Sequence, residues 1–200
     1  MSLFLDAAEK WSNLLDVTYS ICIGHKGQNK ILQLVFREDD FDHLSGMQYV
    51  KDVDFKLHRN EYRGRKLLQA VFSNKIDPTL IEKSAEWPRI SCRLNGIQNI
   101  REFLNSDFKI YEFSARKLPF FSKISASYVL YNSELKEGLF LFLDKDASHY
   151  YCKSIFMDEM QNYTANQTNW VVLKKDMVEN GSVTCLYLNP SYKEEVSTMI

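Results

Sequence analysis

The spacing of apolar residues changes once along this chain, and that change limits the folds open to it. From Tyr62 to about Asp107 apolar residues recur at helical steps; beyond Asp107 they alternate. Six stretches then read as strands: Phe108 to Phe113, Ala126 to Tyr131, Leu139 to Leu143, Tyr150 to Met157, Trp170 to Leu173 and Val183 to Leu188. The polar turns between them are too short for crossover helices, so antiparallel pairing follows. Helices followed by a run of strands predict an α+β fold, an antiparallel β-sheet packed against several helices.

The N-terminal part opens with an amphipathic helix over 3–15, a strand over 17–23, a polar turn and a second strand over 31–36. Helices are expected near 40–53, 62–74 and 78–85, and from Pro88 to about 105. No repeat, low-complexity tract or linker divides the chain. One domain over 1–200 is expected, with a helical elaboration at about 55–105 and a sheet-rich part at about 107–190.

Composition excludes several classes. Apolar residues are 45% and aromatics 14%, which rules out disorder. No run of about 18 apolar residues exists, so no helical membrane span is expected. Met1 to Asp6 lacks the basic region and cleavage site of a signal peptide, and a cytoplasmic location is expected. Cys22, Cys92, Cys152 and Cys185 are scattered without metal-ligand spacing, so no metal site is expected. P-loop, dinucleotide and hydrolase-elbow motifs are lacking, so no cofactor is expected. Net charge is −1 and the isoelectric point about 6.4, so any nucleic-acid contact must be a local patch. Lys56, Arg59, Arg63, Arg65, Lys66 and Lys75 supply one, against Glu61 alone.

The stretch from Phe36 to Val50 is the densest in chemistry. Asp39 or Asp40 is placed to cap a helix N-terminus. Phe41, Leu44, Met47 and Val50 form an apolar face, and His43 projects into that arc between Met47 and Val50. Gly46 leaves room one turn above for backbone or ligand. His43 is the side chain best suited to exchange protons near neutrality, although the residues alone read more readily as a half-buried helix histidine bonded to a carbonyl. On the strand Tyr150 to Met157, strict alternation puts Tyr150, Cys152, Ser154 and Phe156 on one face, where Tyr150 and Ser154 could bind a phosphate oxygen or simply fill a half-buried strand. Tyr163 to Asn169 is a polar run ahead of a strand. Arg93 and Lys66 read either as solvated helix charges or as phosphate ligands. His25 and His58 sit in polar stretches and carry little weight.

Several of these segments share a resemblance. FREDDFDHLSGMQYVKD resembles the Phe-x-His-Leu-x-Gly-Leu motif of a phage-associated group within the Barnase–EndoU–Colicin E5/D–RelE-like nucleases, its fourth phage branch. KIDPTLIEKSAEWPRISCRLNGIQNIREFL is similar to that group's Lys-Ile…Ile-x-Lys-Ser…Arg-Leu segment. Tyr150 and Ser154 fall on its Tyr-x-x-x-Ser-Phe-Phe strand, with Ile155 in place of the first Phe. Tyr163 to Leu173 is similar to its Tyr-Thr-x-Asn-Gln…Val-Leu segment. The likeness covers most of the chain and implies a nuclease core with a helical insertion.

It also implies a metal-independent endoribonuclease of phage or mobile-element origin. His43 would act as base or acid, Arg93 or Lys66 would stabilise charge, and Ser154, Tyr150, Gln167 and Thr168 would hold phosphate or base. RNA is the implied partner, with an immunity factor or other protein partner as a further expectation. The alternative is a non-catalytic RNA- or protein-binding module that keeps the nuclease fold, which the acidic balance favours.

Overall fold

In the computed structural model, residues 2–53, 61–133, 138–157 and 161–193 are described. Lys56, His58 and Arg59 lie outside them.

Helix α1 (Leu3–Ser12) starts where the Ser2 hydroxyl accepts from the Leu5 amide at 3.2 Å. Its Phe4, Ala7, Ala8 and Trp11 follow the i, i+3, i+4, i+7 rule and are fully buried. Trp11 meets Phe36 edge-on at 5.6 Å and donates its indole N–H to the Arg37 carbonyl, so α1 is fixed against the start of the second helix. Strands β1 (Val17–His25) and β2 (Gln28–Val35) form a hairpin through Lys26-Gly27, both in left-handed backbone.

Helix α2 (Glu38–Ser45) ends sooner than its sequence suggests. Gly46 adopts φ +81° and closes the helix, and a single 3₁₀ turn, Met47–Tyr49, follows. Phe41, Leu44, Met47 and Val50 are all buried, yet His43 is exposed. The projection of His43 into the apolar arc fails because the helical rotation stops at Gly46, before Met47 and Val50. Neither Asp39 nor Asp40 caps α2. Asp39 Oδ1 accepts from the Arg65 amide at 2.7 Å and Asp42 Oδ2 from the Gly64 amide at 3.1 Å, so α2 caps the next helix, α3 (Arg65–Phe72). Asp40 instead takes a bidentate pair of bonds from Arg37, each 3.0 Å.

Helix α4 (Pro78–Glu82) is capped by Asp77, and α5 (Trp87–Gln98) carries Pro88 in its first turn. The expected helix to 105 breaks at Asn99, and α6 (Ile100–Asn105) continues it. A Cβ on Gly96 would sit 3.0 Å from Ile155, so α5 lies close on the sheet because that position is bare.

Strands β3 (Lys109–Glu112), β4 (Tyr128–Asn132), β5 (Leu139–Lys145), β6 (Tyr150–Met157), β7 (Thr168–Glu179) and β8 (Ser182–Leu188) complete the chain. The α+β class holds, but the sheet is a closed seven-stranded barrel, not a simple antiparallel sheet. Around the ring the order is β1-β2-β6-β5-β4-β3-β7, with β7 returning to β1 and β8 added to β7. Closure depends on β7, which extends well past the expected Leu173. Residues 168–170 pair with β3, while 171–179 pair with β1. The sequence hid this half of β7 because Lys174, Lys175 and Asp176 interrupt its apolar pattern. The other junction is slight and parallel: β2 meets β6 at one pair, Leu34 and Tyr150.

The main core lies on the face shared with the helices, joining Phe4, Trp11, Tyr19 and Phe41 to Leu94, Ile97, Leu141 and Ile155. A second cluster, Phe113, Leu118, Val129, Phe140 and Phe142, covers the other face of β3, β4 and β5. Among the described residues no helix is long and apolar enough to cross a membrane.

Candidate nucleic-acid interface

The single bridge between β2 and β6 leaves the rest of β6 without a strand neighbour on that side. Helices α2 and α5 pack there, against β6 and each other. This joint gathers the strongest candidate residues.

Arg93 comes from α5 and is buried, 5% exposed. Its Nη1 donates to the Leu44 carbonyl at 3.3 Å, an acceptor in the last turn of α2, where a cation is favoured. On its way it passes Gly46, where an added Cβ would lie 2.9 Å from Arg93 Cδ. The guanidinium reaches 4.8 Å from the Phe156 ring centre and 5.7 Å from that of Tyr49. The space predicted beside Gly46 is therefore occupied by Arg93.

His43 stands exposed on α2 beside it. Partial loss of water, then the positive charges of Arg93 and Lys153, hold its imidazole below the ordinary histidine value; Asp42 and Asp40 oppose this more weakly. The ring is therefore neutral at pH 7 and able to accept a proton.

Lys153 escaped the sequence reading. On β6 the register against β5 slips: Leu143 pairs with Cys152 and Phe142 with Ser154, leaving Lys153 as the extra residue of a bulge. A bulge re-aims its side chain, and here the ammonium bonds the Tyr151 hydroxyl at 3.4 Å and lies 3.9 Å from Asp144. A lysine inside an otherwise alternating apolar strand was the available signal.

The bulge also reverses the faces. Tyr150 and Cys152 join the main core, as does Ile155, whereas Phe156 packs on Phe142 at 5.7 Å in the second cluster. Ser154, opposite Phe142, is buried on that second face. Tyr150 and Ser154 thus do not share a face, and cannot jointly hold one phosphate. Tyr150 sits instead with Tyr128, ring centres 5.8 Å apart. Burial pushes its phenol pKa up, as does the neighbouring Tyr128.

Gln167 and Thr168 are placed elsewhere again. Gln167 Oε1 accepts from the Ser114 amide at 2.8 Å, and its Nε2 donates to the Ser114 and Ala165 carbonyls at 3.1 and 3.2 Å. Those bonds consume both amide protons, so the side chain clamps two loops together. Thr168 Oγ1 accepts from Lys117 Nζ at 3.1 Å. Lys66 is exposed on α3, with Arg63, Arg65 and Lys75 also exposed nearby in sequence. His25 bonds the Asn169 carbonyl and tilts against Trp170, ring centres 5.3 Å apart.

Next to Arg93 opens a groove of about 840 Å³. Helix α5 contributes Pro88, Arg89, Cys92 and Arg93; Phe156, Gln161 and Tyr163 line the other side. Arg89 lies 3.6 Å from the Tyr49 ring centre. Cys92 is partly exposed; Cys152 is buried, and that burial drives its thiol pKa up. Among the described residues no group of three His, Cys, Asp or Glu is arranged to hold a metal.

An α+β barrel with a histidine, two cations and an aromatic groove at its joint is a frame suited to phosphodiester chemistry. The chain belongs to a nuclease family: residues 3–182 match the model described as phage-Barnase-EndoU-ColicinE5/D-RelE like nuclease4. Comparison with curated proteins and with solved structures finds no match.

Proposed function

We propose that this protein is a metal-independent endoribonuclease that uses the 2′-hydroxyl of its own substrate. The observation that carries the reading is the placement of His43: exposed, held neutral, and under the charges of Arg93 and Lys153. The positive charges of Arg93 and Lys153 suit a phosphate.

In the step proposed, the 2′-oxygen forms a bond to phosphorus as the bond to the 5′-oxygen breaks. His43 takes the 2′ proton, and the Lys153 ammonium gives one to the departing 5′-oxygen. Arg93, buried against the Leu44 carbonyl, acts through its charge and not by contact, favouring the negative charge gathered on the non-bridging oxygens. Lys66 contributes to strand attraction from α3. Ser154 and Tyr150 support the strand that carries Lys153, and Thr168 lies with Lys117 on a separate surface. A phage or mobile-element origin is part of the same proposal, supported by the phage association in the family description.

The test is cleavage of a mixed RNA pool in EDTA by the wild type and by His43→Ala. Expected are 2′,3′-cyclic phosphate ends, lost in the variant. Cleavage that requires added metal, or persists in His43→Ala, overturns the assignment. The net charge of −1 favours a second reading, a non-catalytic module for RNA or a protein partner such as an immunity factor. RNA bound but left uncut would select it.

A further inference from the structure

We propose that the notch between β3 and β8, along one edge of β7, is a binding site for a small aromatic carboxylate. The site is independent of the nuclease reading. By way of β1 and β2, β7 lies three places from β6 around the ring, and none of His43, Arg93 and Lys153 lines the notch.

The notch follows from how β7 is shared. One edge of β7 carries β1. On the other edge β3 pairs with residues 168–170 and β8 with residues 174–179, so no strand covers Val171 to Leu173 between them. A cavity of about 250 Å³ opens in this interval. Its walls include Phe108 ahead of β3, Trp170 and Val172 from β7, and Tyr187, which stands opposite Lys175 in the β7–β8 ladder.

Lys175 completes the lining and is almost wholly buried. Its ammonium lies 4.7 Å from the centre of the Phe108 ring, which places the charge at a cavity wall. It donates to the Ser106 carbonyl at 2.6 Å, which uses one of the three protons an ammonium can offer. Among the described residues no carboxylate forms an ion pair with it, and Asp107 acts on it only at longer range. Its neighbour Lys174, by contrast, meets Asp176 at 3.1 Å. A buried charge without a counter-charge is unfavourable, and an anion entering the cavity would relieve it. Trp170 adds a second donor: its indole N–H is buried and has no acceptor. Two buried donors on the walls of one cavity select an acceptor.

The other walls select the body of the ligand. Phe108, Trp170 and Tyr187 are aromatic and Val172 is aliphatic, so a flat apolar group fits between them. One buried cation matches one negative charge. A phosphate would bring a second charge among apolar walls, where Asp107 repels it and only the exposed Lys109 offsets it. The volume falls below the roughly 300–1,000 Å³ of drug-sized sites, which limits the occupant to about one ring. Once bound, it would bridge β3 and β8, which are not paired with each other, and so brace the strand that closes the barrel.

The experiment uses benzoate and its neutral counterpart benzamide, each titrated into the full chain near pH 7 and followed by ¹H–¹⁵N spectra. Expected is saturable binding of benzoate, with the largest shifts at Phe108, Tyr187 and the Trp170 indole. Benzamide should bind at least tenfold more weakly, because it brings no charge to the buried ammonium. Lys175→Met keeps the length of the side chain without its charge, and should weaken benzoate at least tenfold while leaving benzamide unchanged. Benzoate should also raise the Tm of the wild type and not that of the variant. Absence of benzoate binding, equal affinity for the two probes, or full benzoate affinity in folded Lys175→Met overturns the proposal. Displacement of benzoate by equimolar inorganic phosphate overturns it as well. Should Lys175→Met fail to fold, the two probes on the wild type still decide.

Discussion

Arg93 reaches the end of α2 only because Gly46 has no side chain: a Cβ there would stand 2.9 Å from Arg93 Cδ. The same glycine ends the helix at φ +81°, so one residue both stops α2 and admits the guanidinium beside His43.

Gly46→Ala is therefore expected to act twice. The left-handed backbone should cost about 1–2 kcal/mol of stability, read by urea denaturation. Displacement of Arg93 should lower RNA cleavage by more than that loss of stability explains. Unchanged cleavage in a folded variant would separate Arg93 from the chemistry.

The titration of His43 should move with its cationic neighbours. Removing one positive charge, as in Lys153→Met, favours the imidazolium and raises the His43 pKa. NMR titration of the ring should show this shift directly. In the proposed step Lys153 is also the proton donor, so Lys153→Met should cut the cleavage rate, and the acid limb of the residual cleavage, set by the neutral His43 base, should move to higher pH. A limb that stays in place would remove Lys153 from the vicinity of the reacting group.

Gln167→Ala should behave as a structural lesion. It leaves the Ser114 amide and two carbonyls without their partner, at about 1–3 kcal/mol. Affinity for single-stranded RNA, measured where the variant is folded, should stay near the wild-type value. A large loss of affinity would return Gln167 to the substrate site.

Lys175 gives a pH signature at the far side of the barrel. It is 2% exposed and donates to the Ser106 carbonyl at 2.6 Å, and burial lowers its pKa from 10.5 to about 8 despite the help of Asp107. Between those values the unfolded chain holds the proton and the folded one does not, so stability rises with pH through this window. The gain should approach 3 kcal/mol at its upper end, on the order of 2.5 pKa units. Raised tyrosine pKa values, such as that of Tyr19 at about 12, oppose it only near and above pH 10. Lys175→Met should flatten the rise in urea titrations between pH 8 and 10.

What could be read in the sequence depended on whether a feature was local. The faces of α1 and α5, the first hairpin and the existence of each strand follow from short periodic patterns. So does the nuclease family, carried by motifs around His43, Arg93 and Tyr163. Barrel closure was hidden because it pairs Val17 to Gly24 with residues about 150 positions away, on a stretch of β7 broken by charges. The faces of β6 were misread because one bulged residue, Lys153, inverts every later side chain. His43 was projected between Met47 and Val50, which lie beyond the end of its helix at Gly46. The same bulge hid Lys153 as a candidate cation, while Arg93 and His43 were legible as candidates because each lies in a local motif segment; that the two segments pack together is seen only in the structure.

The barrel is fastened along β7 by many pairs and between β2 and β6 by one, Leu34 with Tyr150. A hoop so joined has a clasp, held by one strand pair and by α2 and α5 packed across it. His43, Arg93 and Lys153 are mounted on the two helices and the bulged strand that border this clasp. Their spacing is thus set by how α2 and α5 seat on β6, not by a continuous strand ladder.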